Sequence, residues 1–217
     1  MSQLQTDKYT VAWFKLAEFV ARKEKERALG IYRLLTHSLH DQAVAYQLEG
    51  DLLFSFADAK ALDSYTKAAE LYEQQGKYIQ ALAIYEHFIT LNPLEVSYAQ
   101  KLFFLSCLLD QENKKKRALH LWAQALAHTI VEHNNAGSML EESLSNLESC
   151  NQRELYEYTV LALVEKKYKA SDVFIDQALE YIKEADASEI DCFIARLTAI
   201  NTQAGQHAQE YYSKNFF

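Results

Sequence analysis

The 217-residue chain holds five glycines and one proline. Globular proteins ordinarily devote about 12% of their residues to these two types. Sheet corners, tight hairpins and phosphate-cradling loops all draw on residues that reach positive φ or fix φ. A chain this poor in both must reverse direction through short helix-to-helix connections, so the sequence predicts an all-α fold. Hydrophobic residues make up 49% of it, enough for a sizeable core at this length.

The formal charge of −8 repels a phosphate backbone, which argues against nucleic acid and anionic membrane surfaces and favours basic partners. Cys107, Cys150 and Cys192 are odd in number, far apart and without a C-x-x-C pair. They are expected to be free, buried thiols in a reducing compartment. The opening Met1-Ser2-Gln3-Leu4-Gln5-Thr6-Asp7-Lys8 lacks the apolar run of a signal peptide, and no uncharged apolar stretch approaches a membrane span. A cytoplasmic protein is expected.

Four segments place a small residue one helical turn before an aromatic: Ala28-Leu29-Gly30-Ile31-Tyr32, Ala61-Leu62-Asp63-Ser64-Tyr65, Ala81-Leu82-Ala83-Ile84-Tyr85 and Ala118-Leu119-His120-Leu121-Trp122. The interval from Ala28 to Ala61 recurs: it also relates Trp13 to Tyr46, Ala17 to Gly50 and Val20 to Leu53. A small residue lets two antiparallel helices approach closely, and an aromatic one turn later fills the gap to the next hairpin. The best single unit runs through Tyr65, Ala68, Ala69, Tyr72, Gly76, Tyr78, Ala81, Tyr85, Phe88 and Pro93. A weaker one passes through Leu102, Leu105, Ser106, Leu109, Ala118, Trp122 and Ala125, with extra residues at a turn placed at Asn113-Lys114-Lys115-Lys116.

These residues resemble the tetratricopeptide repeat (TPR) family, whose unit is a helix-turn-helix of about 34 residues. The resemblance implies a right-handed α-solenoid of antiparallel hairpins over 10–132, after a tail at 1–9. A less regular helical extension and cap is expected over 133–217, because an open solenoid end exposes an apolar face. Helices are predicted at 9–23, 25–39, 42–56, 58–75, 77–91, 94–111, 115–132, 138–149, 152–167, 171–184 and 188–202, with a short one near 206–213. Gly76 and Asn92-Pro93 read as stops, and Ser138 with Glu141 as a capping box. Ala61 and Ala81 stand much closer together than Ala28 and Ala61, so the repeat phase slips between 58 and 95.

No motif carries catalysis. His37 with His40 and His128 with His133 have no ligand partner at a recognised spacing, no base sits beside a cysteine, and no Gly-rich phosphate loop exists. No enzyme activity, metal or cofactor is expected. The aromatic tail from Tyr211 to Phe217 is expected to pack as part of the cap.

In TPR-like stacks the first helix of each hairpin lines a concave groove. By resemblance, one groove slot falls at Glu18, Asp51, Glu70 and Cys107, with Phe14, Gln47, Phe54, Asp63, Thr66, Glu73, Phe103 and Asp110 in neighbouring slots. The family's clamp for a C-terminal carboxylate needs Lys, Asn and Arg there; these slots carry the opposite charge. The expected function is a non-enzymatic interaction module (scaffold, adaptor or chaperone-like) that holds a basic or amphipathic protein or peptide segment in an acidic, aromatic-bearing groove. The alternative is a structural subunit of a homo- or hetero-oligomer whose groove is idle.

Overall fold

The computed structural model describes residues 2–133, 136–145, 147–182 and 187–216, and every element among them is an α-helix. The chain divides into two compact units, Met1–Tyr85 and Glu86–Phe217.

The first unit contains α1 (Ser2–Ala21), α2 (Lys25–Thr36), α3 (Gln42–Ser55), α4 (Ala61–Gln74) and the beginning of α5 (Tyr78–Leu91). Each of α1 to α4 packs on its neighbour in sequence. The turns stack in the same way. Lys23 Nζ donates to the Ser55 carbonyl at 2.8 Å and Lys25 pairs with Asp58, which ties the α1–α2 turn to the α3–α4 turn. Asp41, the N-cap of α3, takes Ala43 N, Gln75 Nε2 and Lys77 Nζ, which ties the α2–α3 turn to the α4–α5 turn. Hairpins laid side by side with like turns together are the arrangement of a helical repeat.

The alanine-to-aromatic signature marks buried pairs. Ala28 and Tyr32, Ala61 and Tyr65, Ala81 and Tyr85, and Ala118 and Trp122 are all buried. The recurring interval is correct for Gly50, which lies inside α3 with its Cα facing the Tyr65 ring. That aromatic packs within its own hairpin; Tyr32 does reach forward, donating from its hydroxyl to the Ala45 carbonyl of α3 at 3.0 Å. The interval fails in α1. Trp13 and Ala17 are exposed, and the helix instead turns Leu16 into a core of Ala28, Tyr32, Leu35 and Leu52, with Ala12, Phe19 and Val20 around it. The two candidate faces adjoin on the helix, and the one carrying Leu16, Phe19 and Val20 removes more apolar area from water.

Five turns are alike. Lys23, Ala57, Gly76, Asp110 and Lys167 hold φ between 52° and 70°. The N–H that follows each reaches back along the preceding helix, from Glu24 to Phe19, Asp58 to Leu53, Lys77 to Tyr72, Gln111 to Ser106 and Tyr168 to Leu163, at 2.8–3.0 Å. This is the left-handed helix terminator that satisfies the last carbonyls, usually built on glycine. Within the first unit the step from Lys23 to Ala57 matches the length of a helical-hairpin repeat, about 34 residues.

The second unit contains the end of α5, α6 (Val96–Leu108), α7 (Glu112–His133), α8 (Ala136–Ser145), α9 (Ser149–Glu165), α10 (Ser171–Ile182), α11 (Ala187–Ile200) and α12 (Thr202–Asn215). α6 packs on α7, and α7 on α8 and α9; beyond that, α9 meets α10 and α11, and α12 meets both α10 and α11. Trp122, Phe103, Phe193, Leu126, Leu163 and Ile175 are among its fully buried side chains. Each such burial stabilises by roughly 1.5–3 kcal/mol. Arg196 pairs with Glu157 between α11 and α9, and His207 Nε2 lies 2.8 Å from Asp176 between α12 and α10.

Several sequence expectations are corrected in this unit. The run Asn113-Lys114-Lys115-Lys116 is not a turn but the first turns of α7, where Glu112 lies within 3.8–3.9 Å of Lys115 and Lys116 and Lys114 meets Glu86 at 2.9 Å. The i,i+3 and i,i+4 spacing makes the helix the cheaper conformation for these charges. α8 is described from Ala136, and the capping box expected at Ser138 rests on a side chain that lies outside the described residues. Cys107 and Cys192 are exposed rather than buried; the side chain of Cys150 lies outside the described residues. The last helix is longer than expected, capped by Asn201 onto Gln203 and Ala204, and it carries Tyr211 and Tyr212 against Phe216. Phe217 lies outside the described residues.

Candidate functional site

The expected groove residues fall nine in the first unit and three in the second. In the first unit, Glu18 is exposed and paired with Arg22 one turn on, at 2.7 Å. Phe14 is 73% exposed, and Phe54 is also on the surface. Asp63 and Glu70 are exposed on α4; Thr66, partly buried, donates back to the Leu62 carbonyl at 2.9 Å.

The remaining three polar positions share a device that their residue types do not announce. Gln47 Oε1 accepts from the Tyr72 hydroxyl at 2.7 Å, Asp51 Oδ1 from Tyr65 at 2.7 Å and Glu73 Oε1 from Tyr85 at 2.8 Å. All three rings are buried. A phenol that sinks its ring into a core must satisfy its hydroxyl at the edge, and here the acceptors stand at that edge, Asp51 exposed and Gln47 and Glu73 partly buried. Burial, the Asp51 hydrogen bond and its negative charge push the Tyr65 hydroxyl well above its ordinary value. Tyr72 is also raised, by burial first and then by the charges of Asp41 and Asp51. Asp51 and Glu73 are therefore parts of the hairpin as well as surface charges.

In the second unit, Phe103 is only 1% exposed, packed against Trp122 at 5.7 Å and Phe104 at 5.5 Å. As a surface contact it is corrected; it forms the floor of a cavity. Asp110, the left-handed residue that ends α6, stands at the mouth of the same cavity. Its volume is about 310 Å³, and Phe103, Cys107, Asp110, Gln111, Glu112, Lys115, Glu148 and Asn151 contribute to its walls. Three carboxylates face a single ammonium there. Gln111 Oε1 is buried with no hydrogen-bond partner among the described residues, and Asn151 is 7% exposed. A buried carbonyl without a donor costs about 1–3 kcal/mol, which a ligand N–H would recover. Partial burial raises the Cys107 thiol, against the opposing pull of Lys115, so it is not a poised nucleophile.

The sequence reading named Phe103, Cys107 and Asp110 but missed Gln111, Glu148 and Asn151. Gln111 follows the turn residue directly. Glu148 and Asn151 come from the start of α9, a helix with no repeat signature to align. Among the described residues no group of three His, Cys, Asp or Glu is placed to hold a metal ion, and no helix is long and apolar enough to cross a membrane. His128 Nδ1 lies 3.5 Å from Glu132, and His37 ends α2 as an exposed cap.

The class these elements define is an all-helical array in which helices pack on sequence neighbours, compatible with a helical repeat. No family model and no curated protein matches the chain.

Proposed function

We propose that this chain is a non-enzymatic interaction module, a TPR-like right-handed solenoid of helical hairpins, that holds a basic or amphipathic segment of a protein partner against acidic surface. The observation that carries the reading is the α6–α7–α9 cavity. It has an excess of carboxylates, an aromatic floor and a buried carbonyl without a donor among the described residues, which together suit a lysine or arginine side chain. The exposed acids Glu18, Asp51, Asp63 and Glu70 extend the same preference to the first unit.

The test uses a fluorescent amphipathic peptide with Lys at every fourth position and its Glu-substituted counterpart, followed by anisotropy. The basic peptide should bind, and binding should weaken as salt rises, because exposed charges are screened beyond about 10 Å at 0.1 M. Asp110→Asn with Glu148→Gln should weaken it about tenfold, whereas Asp191→Asn with Glu210→Gln, of equal charge change, should not. Equal effects of the two pairs would mean bulk charge attraction and no site.

A second reading, a structural subunit with its acidic surface idle, is favoured by one feature. α1 leaves Phe14 and Trp13, the latter 43% exposed, on its surface. Soluble chains seldom leave neighbouring large aromatics in water without a contact to make. Light scattering across a concentration series distinguishes this reading, since it requires a mass above one chain that Phe14→Glu lowers.

A further inference from the structure

The carboxylates of the Asp110 cavity are not equivalent. Glu112 opens α7 and lies 3.8 Å from Lys115, and Glu148 is the N-cap of α9, so helix dipoles answer part of both charges. Asp110 follows the C-cap of α6, where the carbonyl end of the helix adds to its charge. Neither Asp110 nor Glu148 has an ion pair or a side-chain hydrogen bond among the described residues. The charges of Lys115, Glu112 and Glu148 all reach the Cys107 thiol, which gathers them around one point.

Two amides lie among these charges. Asn151, in the first turn of α9, is 7% exposed, yet its side chain makes no hydrogen bond among the described residues. Gln111 Oε1 is buried and equally without a donor there. A half-turn of that terminal amide exchanges oxygen and nitrogen, which brings the carbonyl to the cavity. Buried polar groups ordinarily have partners, so two without one on the same cavity point to a ligand that brings several donors. The floor is apolar: half-buried Phe104 stands edge to face with Phe103, ring centroids 5.5 Å apart.

An ammonium gathers its donors on one strongly hydrated nitrogen. A guanidinium is weakly hydrated, stacks on aromatic rings and spreads its N–H groups around a plane. The second form suits acceptors that come from separate elements, the α6–α7 turn and α9, above an aromatic floor. Resting on the reading of this cavity as the site for a basic segment, we infer that it selects arginine: the partner's guanidinium lies on Phe104, pairs with Asp110 and Glu148, and donates to the carbonyls of Gln111 and Asn151, whereas a lysine answers the charge and leaves the amides unpaired.

The test compares three fluorescent amphipathic peptides, with lysine, arginine or citrulline at every fourth position, by anisotropy against the full chain. The arginine peptide should bind at least about tenfold tighter than the lysine peptide, and citrulline, which keeps the planar shape without the charge, should bind weakest. Asn151→Leu removes an amide that has no partner, so the melting temperature should not fall. It should reduce the preference for arginine to below about threefold and leave lysine-peptide binding unchanged. Gln111→Met should act in the same direction and serves if Asn151→Leu does not fold. Cys107 on the cavity wall reports occupancy: its alkylation by iodoacetamide, mapped by mass spectrometry, should slow when the arginine peptide is added, while that of exposed Cys192 does not. Equal affinity for arginine and lysine, with Cys107 protected by both, would overturn the arginine assignment and leave the acidic-site reading standing. Binding of neither peptide would overturn both. A preference for arginine that survives in folded Asn151→Leu and Gln111→Met, or that leaves Cys107 unprotected, would belong to general surface charge and would overturn the assignment.

Discussion

Tyr65 and Asp51 are joined across the α3–α4 hairpin by a hydrogen bond of 2.7 Å, with the buried ring of Tyr65 lying directly over the Cα of Gly50. One aromatic side chain thus sets both how closely the helices approach and where a surface carboxylate points. Asp51→Lys should therefore cost stability, in contrast to an ordinary surface charge reversal. Tyr65→Phe, which leaves the Asp51 carboxylate in water, should lower stability by only about 0.5–1.5 kcal/mol. Urea denaturation of the two variants measures both.

Glycine substitutions should separate by position. A Cβ on Gly50 would stand 2.6 Å from Tyr65 Cδ1, closer than side chains tolerate, and the buried ring cannot swing away. A Cβ on Gly30 of α2 meets nothing within 4 Å. Gly30→Ala should raise stability by up to about 1 kcal/mol through helix propensity. Gly50→Ala should lower it despite the same propensity gain, and Gly50→Leu more so. Thermal melts that moved alike for Gly30→Ala and Gly50→Ala would contradict the close packing.

At alkaline pH the tyrosines should titrate in two classes. Burial, helped by the charge of Glu49, pushes Tyr32 up to about 12 from its ordinary 10.0; Tyr65 and Tyr156 are raised as well. Since the folded chain favours their protonated form, the stability they contribute is complete below pH 10 and is lost as pH rises through the folded values. Ultraviolet absorbance should show exposed phenols ionising first. The buried ones should follow only with the loss of far-ultraviolet circular dichroism.

At acid pH the sign reverses for Asp41. Hydrogen bonds from Lys77, then Gln75, hold its carboxyl at about 2, below its ordinary 3.8. Its contribution is present above 3.8 and fades as pH falls toward 2. Asp41→Asn retains an N-cap acceptor but not the charge, so the dependence of stability on pH in that window should flatten. Asp41→Ala also removes the cap and should cost about 1 kcal/mol further. Both effects belong to a partly exposed pair and should shrink in salt.

Phe103 and Asp110 should come apart under mutation although both border one cavity. Phe103→Ala empties a fully buried position against Trp122 and should cost about 3–5 kcal/mol. Asp110→Asn keeps a residue type that tolerates the 52° φ and should leave the melting curve nearly unchanged while weakening basic-peptide binding.

Helix content, the Gly76 and Pro93 stops and the buried alanine-aromatic pairs were legible because each is a local rule with one solution. The face of α1 was not. Val11, Ala12, Trp13, Phe14, Leu16, Ala17, Phe19 and Val20 make it apolar on every side, and only packing against Ala28 and Leu35 selects Leu16 over Ala17. The slot carried from Ala17 to Glu18 is loosened for the same reason. The acidic cavity was half legible: Asp110 and Phe103 lie on a repeat-bearing helix, but Glu148 and Asn151 arrive at the start of α9, through a contact between segments far apart in the chain. The tyrosine-to-carboxylate bonds were hidden because a groove acid and a core acceptor are the same residue type.

The left-handed helix ends bear on how such a chain could change over generations. At Lys23, Ala57 and Lys167 a glycine would relieve backbone strain and leave the hydrogen bonds of the turn in place, so these positions hold thermal tolerance in reserve. Asp110 has the same backbone but also supplies a carboxylate to the cavity. A lineage selected for heat alone would drift to glycine at all four. One that still depends on its ligand would accept the strain at the fourth, and sequences that gain glycine at the first three while keeping an acid at position 110 would mark where that dependence persists.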